Sequence, residues 1–257
     1  MLERYSDKMR ARSATLLVSL ETRLDRILQF WLILAGLVAA GRIEFSPLPT
    51  GAAPISTFAS YMLVVVAPFA STLLALRWFK DGQLQPQPTI RLARAGKWRT
   101  VSAAEAKAAP LYGTAGIMVS LMLGIMFNVP VRAIEYFTAM PPIPAVAPGW
   151  LSALHFAMTF DVVVFGSLYM IAFVAALRRV PLFPRLLVAI WMGDLTMQLV
   201  TAKLVVAAGP LPLDVATALE QMLTGNVKKV LISMGLWLPY LLLSKRVNVT
   251  YRHRVAA

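Results

Sequence analysis

Three charged residues interrupt long apolar stretches of the chain, and this position makes them the strongest candidates for chemistry. Asp161 lies in the stretch from residue 150 to residue 177. Asp194 and Lys203 lie in the next stretch, from residue 185 to residue 208. A charged side chain is costly where the surroundings are lipid, so it tends to face a cavity or an oppositely charged partner. A carboxylate in that position could bind a proton or a cation.

Helical periodicity separates the two charges of the second stretch. Gln198 and Thr201 follow Asp194 at i+4 and i+7, so the three side chains share one face and form a predicted inward-facing polar stripe. Lys203 follows Asp194 by nine residues, which at about 100° per residue places it on the opposite face. One lysine therefore does not easily serve both acids.

Two interpretations of these residues remain open. In the first, Asp161, Asp194, Gln198, Thr201 and Lys203 line a polar pathway in which a carboxylate takes up a proton or a cation. In the second, Asp161 and Lys203 form a structural ion pair, because the two stretches are joined by a short turn and should be antiparallel neighbours. Asp194 would then be hydrogen-bonded to neighbouring helices.

Other kinds of functional site lack a sequence signature. The chain has no cysteine, which excludes thiolate metal sites, iron–sulfur clusters and cysteine nucleophiles. His155 and Asp161 are six residues apart and face different ways on a helix, so they do not form a metal site. The sequence has neither a serine nucleophile elbow nor a phosphate-binding glycine loop. We therefore predict no catalytic residue, no metal and no cofactor, and we expect that the protein is not an enzyme.

The elements that must position these residues are six apolar stretches, typical of transmembrane helices. At about 1.5 Å per residue, each stretch is long enough to approach or exceed a hydrocarbon layer of roughly 30 Å. Only 14% of the residues are charged, compared with about 25% in soluble domains. The sequence predicts an all-α, polytopic transmembrane bundle with spans at residues 27–43, 57–79, 111–128, 150–177, 185–208 and 227–244.

The segments between the spans differ strongly in charge. The formal net charge is +13, and most of the 25 lysines and arginines fall in the two termini and in the second and fourth connections. The positive-inside rule then places both termini in the cytoplasm. In a membrane protein such charges set topology and contact lipid headgroups, so we expect no nucleic-acid partner. The residues assigned to lipid headgroups are Arg178, Arg179, Lys245 and Arg246.

Two short helices are predicted outside the membrane, at the interface opposite the basic connections. One covers residues 132–136 and begins at Arg132, just after the third span. The other covers residues 213–223 and exposes Asp214 and Glu220 to water. A proline-rich segment, residues 140–148, is expected to form a stiff loop on the same side.

The end of the chain carries a recognisable pattern. An apolar helix with the step Pro239-Tyr240 is followed by the tail SKRVNVTY at residues 244–251, and an earlier span ends in the basic turn Arg178-Arg179. In these residues the chain resembles the bacterial family catalogued as domain of unknown function 2569. The resemblance implies a four-span membrane domain at residues 111–257. Residues 1–110 would then be a two-span N-terminal extension with a basic cytoplasmic loop.

These observations lead to two functional predictions for an integral protein of the bacterial inner membrane. The first is a transport or permeation component for a proton or a small solute, with the polar pathway as its site. The alternative is a non-catalytic accessory or assembly subunit that binds another membrane protein through its helix faces and basic loops. Membrane lipid is an expected partner in both cases. A membrane enzyme acting on a lipid-linked substrate is the least favoured prediction.

Overall fold

Eight α-helices and a two-stranded sheet make up the described part of the chain. The structure is a computed structural model, and it describes residues 2–46, 55–90, 92, 96–144 and 146–257. The helices are α1 (Leu2–Glu44), α2 (Ile55–Trp78), α3 (Ala103–Ala108), α4 (Ile117–Ala139), α5 (Gly149–Leu177), α6 (Phe183–Ala207), α7 (Leu213–Leu243) and α8 (Lys245–Arg252). The strands are β1 (Trp98–Thr100) and β2 (Arg254–Ala256), which pair antiparallel.

Five helices are long and apolar enough to cross a membrane within the described residues: α1 from Thr15 onward, α2 from Thr57 onward, α4, α5 and α6. A sixth is obtained if α7 and α8, which are bent by 72° relative to each other, are counted as one broken span. The prediction of an all-α bundle with a multi-pass, membrane-type composition is confirmed at this level.

Both predicted interfacial stretches are helical, but the prediction of two separate short helices is wrong, because each stretch is part of a longer helix. α4 continues through Pro130 to Ala139, so Arg132 lies inside an apolar helix rather than beyond its end. α7 begins at Leu213 and runs without a break to Leu243. In both cases polar residues within a helix resembled the end of a span. For Arg132, partners on α5 and α6 offset the cost of this position.

α5 is the central helix of the bundle. It packs extensively on α2, α4 and α6, and most of its side chains are buried. A helix that is apolar on all sides is expected at the centre, where every face meets another helix. α6 packs on α7, whereas α4 and α7, both described along their whole length, make no extensive contact. The gap between α4 and α7 contains the cavity described below.

The C-terminal segment closes one end of the bundle. Ser244 caps α8 by accepting a hydrogen bond from the backbone N–H of Val247 at 3.4 Å. α8 then packs against the end of α5, where the Tyr251 hydroxyl donates a hydrogen bond to the backbone oxygen of Ala176 at 2.9 Å. Beyond α8, β2 pairs with β1 from the connection between α2 and α3. The end that bears the basic connections is therefore an ordered cap.

Candidate functional site

Arg132 of α4 is the centre of a buried charge cluster. Its Nε donates a hydrogen bond to the Asn128 side chain at 3.0 Å, one turn earlier on the same helix. Its Nη1 donates to Asp161 Oδ2 on α5 at 2.7 Å, and its Nη2 donates to Asp194 Oδ2 on α6. The guanidinium thus joins three helices. The side chain of Arg132 is 11% exposed, and those of Asp161 and Asp194 are 6% and 0% exposed.

Neutral polar groups complete the cluster. The Tyr169 hydroxyl donates to Asp194 Oδ2 at 3.0 Å, and Gln198 Nε2 donates to Asp194 Oδ1 at 3.3 Å. Gln198 Nε2 also lies 3.4 Å from Asp161 Oδ1. On α7, Asn226 donates to Gln198 Oε1 at 3.3 Å. The hydrogen-bonded network therefore extends over α4, α5, α6 and α7.

The charges of this cluster do not balance. It contains two carboxylates, Asp161 and Asp194, and one guanidinium, Arg132, so one negative charge remains when both acids are ionised. The rings of Phe165 and Tyr169 lie with their centroids 5.6 Å from the guanidinium carbon and add attraction for the cation, not for the acids. An uncompensated charge inside a protein is costly. The cluster is therefore chemically suited to bind one proton or one further cation.

A cavity of about 390 Å³ reaches this cluster. It lies between α4 and α7, with α5 and α6 behind it, and its walls are mostly apolar and aromatic. Arg132 and Asp161 line it directly, together with Asn128 and Asn226. Asp194 is fully buried behind them. Of the two acids, Asp161 is therefore the one that a solute or water in the cavity can contact.

A second ion pair lies at the rim of the cavity. Lys229 of α7 donates to Glu135 of α4, and their side chains are 56% and 42% exposed. Exposed pairs of this kind contribute about 0–1 kcal/mol. The Glu135–Lys229 pair can therefore join or release the two helices that border the gap at little energetic cost.

The predicted polar stripe is confirmed, whereas the predicted ion pair is wrong. Asp194, Gln198 and Thr201 are all buried on one face of α6. Lys203 is exposed on another face, and the ion pairs among the described residues do not include it. Asp161 pairs with Arg132 instead. Arg132 was predicted to lie in a short helix outside the membrane, where it would not pair with Asp161.

Four residues of the cluster were missed: Arg132, Asn128, Tyr169 and Asn226. Arg132 could have been found, because mostly apolar residues continue on both sides of it up to Met140. Extending the third span by one or two turns would have enclosed Asn128 and Arg132 at i and i+4, on one helical face. A tyrosine and an asparagine in apolar helices give no comparable signal.

The four residues assigned to lipid headgroups fall into two groups. Arg178 and Lys245 are exposed. The Arg179 guanidinium lies over the Tyr112 ring, with 5.6 Å between its carbon and the ring centroid, and Arg246 Nη1 donates to the backbone oxygen of Gly113 at 3.2 Å. Arg179 and Arg246 thus also fix the connection that precedes α4. Their contact with lipid stays a prediction.

The basic turn between α5 and α6 is also packed closely against the connection after α2. A Cβ atom added to Gly82 would lie 2.6 Å from a side-chain carbon of Val180 and 2.9 Å from the Arg178 backbone oxygen. Only glycine allows this approach without a shift of the backbone. The close packing holds the turn as part of the ordered cap.

His155 belongs to a separate polar group. The Tyr136 hydroxyl lies 2.8 Å from Thr159 Oγ1 and 3.4 Å from His155 Nε2, and all three side chains are buried. Among the described residues, no group of three or more histidine or acidic side chains is arranged to hold a metal ion. We interpret this group as a hydrogen-bonded contact between α4 and α5.

Comparison with known proteins found no match to a family model, to a curated protein or to a solved structure. The site is therefore interpreted from its own geometry. The likeness of the C-terminal region to an uncharacterised bacterial family stays a prediction.

Proposed function

We propose that the protein is a transport or permeation component that moves a proton, alone or together with a small solute, through the cavity between α4 and α7. One observation carries the proposal: two buried carboxylates share a single guanidinium, and the cavity reaches one of them. Ionisable groups inside membrane spans commonly mark ion pathways and proton relays. The proposal requires no cofactor, metal or catalytic residue.

Asp161 is the proton acceptor in this proposal. It lines the cavity, whereas Asp194 lies behind it and accepts hydrogen bonds from Arg132, Tyr169 and Gln198. Protonation of Asp161 removes its negative charge, so the ion pair with Arg132 becomes a weaker hydrogen bond from the guanidinium to an uncharged carboxyl group. The contact between α4 and α5 then weakens while that between α4 and α6 persists. Proton binding thereby couples to the packing of α4 and so to the width of the cavity.

We place the protein in the bacterial inner membrane with six spans and both termini in the cytoplasm. The count of six treats α7 and α8 as one broken span. Contacts between Gly116 and Ser13, and between Gly113 and Thr250, gather the basic N-terminal part, the basic connection and α8 at one end of the bundle. This clustering supports a cytoplasmic position for that end. The bacterial setting rests on the resemblance of the C-terminal region.

Proton flux into lipid vesicles tests the proposal. Purified protein is reconstituted with an internal pH-sensitive dye, and a pH gradient or a membrane potential is imposed. We expect flux with the unaltered protein and, for Asp161→Asn, flux reduced to that of protein-free vesicles. The matched control is Lys203→Gln, which removes an exposed charge from a neighbouring helix and should retain flux.

Absence of flux at every pH and potential would contradict the proposal, as would full flux in Asp161→Asn. A flux assay in the presence of candidate solutes separates proton movement alone from coupled movement. Coupled movement requires that a solute gradient drive the proton in vesicles without a pH gradient.

The alternative function, an accessory or assembly subunit of a membrane complex, is favoured by a different observation. The outward face of α1 exposes large apolar side chains, including Phe30, Ile33 and Leu37, which could pack on another membrane protein. The only role of the charge cluster would then be to hold the helices α4, α5, α6 and α7 together. Purification in mild detergent distinguishes the two: a stable complex favours the subunit, and a lone monomer counts against it.

A further inference from the structure

A second concave surface lies between α1 and α4, away from the charge cluster. It is a groove of about 510 Å³, with a floor supplied partly by Pro68 of α2 and Met170 of α5. Its lining consists of apolar side chains. Several wall residues, such as Phe30, Leu34 and Ile134, are more than 45% exposed. The groove is therefore open to the surroundings of the bundle, which for these helices is the bilayer.

The length of the groove matches one leaflet of a membrane. Its lining residues on α1 extend from Ile27 to Val38, eleven residues apart, which corresponds to about 17 Å along the helix. Half of a hydrocarbon layer of roughly 30 Å is close to that length. A single extended acyl chain is thus a better fit than a compact solute or a helix.

A positive charge stands at one end of the groove. Arg42 follows Val38 by four residues on α1, and so it lies on the same face one turn further on. Its Nη2 is 3.5 Å from the backbone oxygen of Thr138, a long contact, and its side chain also interacts with the Tyr61 hydroxyl. Its Nε is buried and has no hydrogen-bond partner among the described residues. The ion pairs of the described chain do not include Arg42.

We propose that the groove binds one acyl chain of a membrane phospholipid and that Arg42 binds its phosphate group. A guanidinium donates two parallel hydrogen bonds to phosphate oxygens, and Nε is one of its usual donors in that arrangement. The phosphate would neutralise the charge of Arg42, and a rotation of the Arg42 side chain toward the groove would bring its Nε within reach of a phosphate oxygen. A net anionic headgroup such as that of phosphatidylglycerol is preferred over a zwitterionic one, because its phosphate charge is not offset by an ammonium group.

Native mass spectrometry of the purified protein tests this assignment. The protein is delipidated in detergent and titrated with phosphatidylglycerol, with phosphatidylethanolamine and with inorganic phosphate. We expect one tightly bound phosphatidylglycerol per chain. Arg42→Gln should lower that affinity about tenfold or more, the size of one lost charge-assisted hydrogen bond. Lys203→Gln, which removes an exposed charge elsewhere on the bundle, should leave the affinity unchanged.

A second pair of variants tests the groove itself. Val38→Trp fills the groove from a partly exposed wall position and should reduce lipid binding, whereas Leu37→Trp adds the same bulk next to it, outside the groove lining. Equal lipid binding by Val38→Trp and Leu37→Trp overturns the proposal. It is also overturned if inorganic phosphate competes fully with the lipid, or if Val38→Trp instead disrupts a dimer of the chain. The thermal stability of each variant confirms that it is folded.

Discussion

A guanidinium inside an apolar helix is tolerated only where its N–H groups find acceptors, and Arg132 finds them on α4, α5 and α6. This single side chain joins residues that are far apart in the sequence. Asp161 and Asp194 both depend on it, since it is the cation that both carboxylates contact. The cluster is therefore best tested by removing Arg132 alone and then with its partners.

Arg132→Gln should strongly destabilise the protein. The change leaves two buried carboxylates without their cation, and breaking a buried pair in this way costs about 3–5 kcal/mol. The triple variant Arg132→Gln, Asp161→Asn, Asp194→Asn should recover part of this loss, because a neutral hydrogen-bonded set leaves no uncompensated charge. Thermal or denaturant unfolding in detergent measures both. A triple variant no more stable than the single one would contradict the ionic interpretation.

Some features of the charge cluster could be predicted from the sequence, and others could not. The stripe of Asp194, Gln198 and Thr201 follows from periodicity within one helix, and it is confirmed. The partner of Asp161 depends on which helix passes beside it, and spacing along one helix carries no information about that. Lys203 was predicted as the partner because the two stretches are joined by a short turn and should be antiparallel neighbours. Its position on an exposed face removes it from the site.

At the scale of elements, α4 and α7 form the border of the cavity. They make no extensive contact along their described lengths, and the pair Glu135–Lys229 links them at the rim. Their boundaries were also the least well predicted, because Asn128, Arg132 and the first turns of α7 are polar enough to resemble the ends of spans. The presence of each helix could be predicted from hydropathy. The length of α4 could not, because it depends on side chains of other helices that pair with its polar residues.

Removal of the rim pair should change flux more than stability. Glu135→Gln eliminates an exposed ion pair, so the free energy of unfolding should change by about 1 kcal/mol or less. α4 is then no longer held to α7 by charge, and proton flux in vesicles should rise. Thr138→Ala, a change at a nearby rim position without an ion pair, is the control. Reduced flux in Glu135→Gln, with normal stability, would show that the carboxylate takes part in proton movement itself.

At the scale of the whole molecule, the fold class was predictable because the bilayer fixes the length and the apolar character of its helices. The number of spans was harder to predict. The 72° bend after α7 decides whether five or six helices are counted, and that bend depends on contacts of α8 that no hydropathy profile contains. The same contacts order the basic end, which was expected to be a surface of charges facing lipid headgroups.

Cysteine labelling tests the orientation of the whole bundle. The chain has no cysteine, so single substitutions report on one site without background. Val146→Cys, in the loop before α5, and Lys107→Cys, on α3, both replace exposed residues. With both termini in the cytoplasm, an impermeant maleimide added to intact spheroplasts should label Val146→Cys and spare Lys107→Cys. The reverse pattern would invert the topology.

The pairing of β1 with β2 has a consequence for the order in which this protein is completed. β1 leaves the ribosome soon after α2, whereas β2 follows α8, and synthesis proceeds from the N-terminus. β1 therefore stays unpaired while the helices that follow it are synthesised. The small sheet therefore forms only after α8 has been made, and a nascent chain interrupted before Arg254 would leave β1 with an unpaired strand edge, which can pair with another chain.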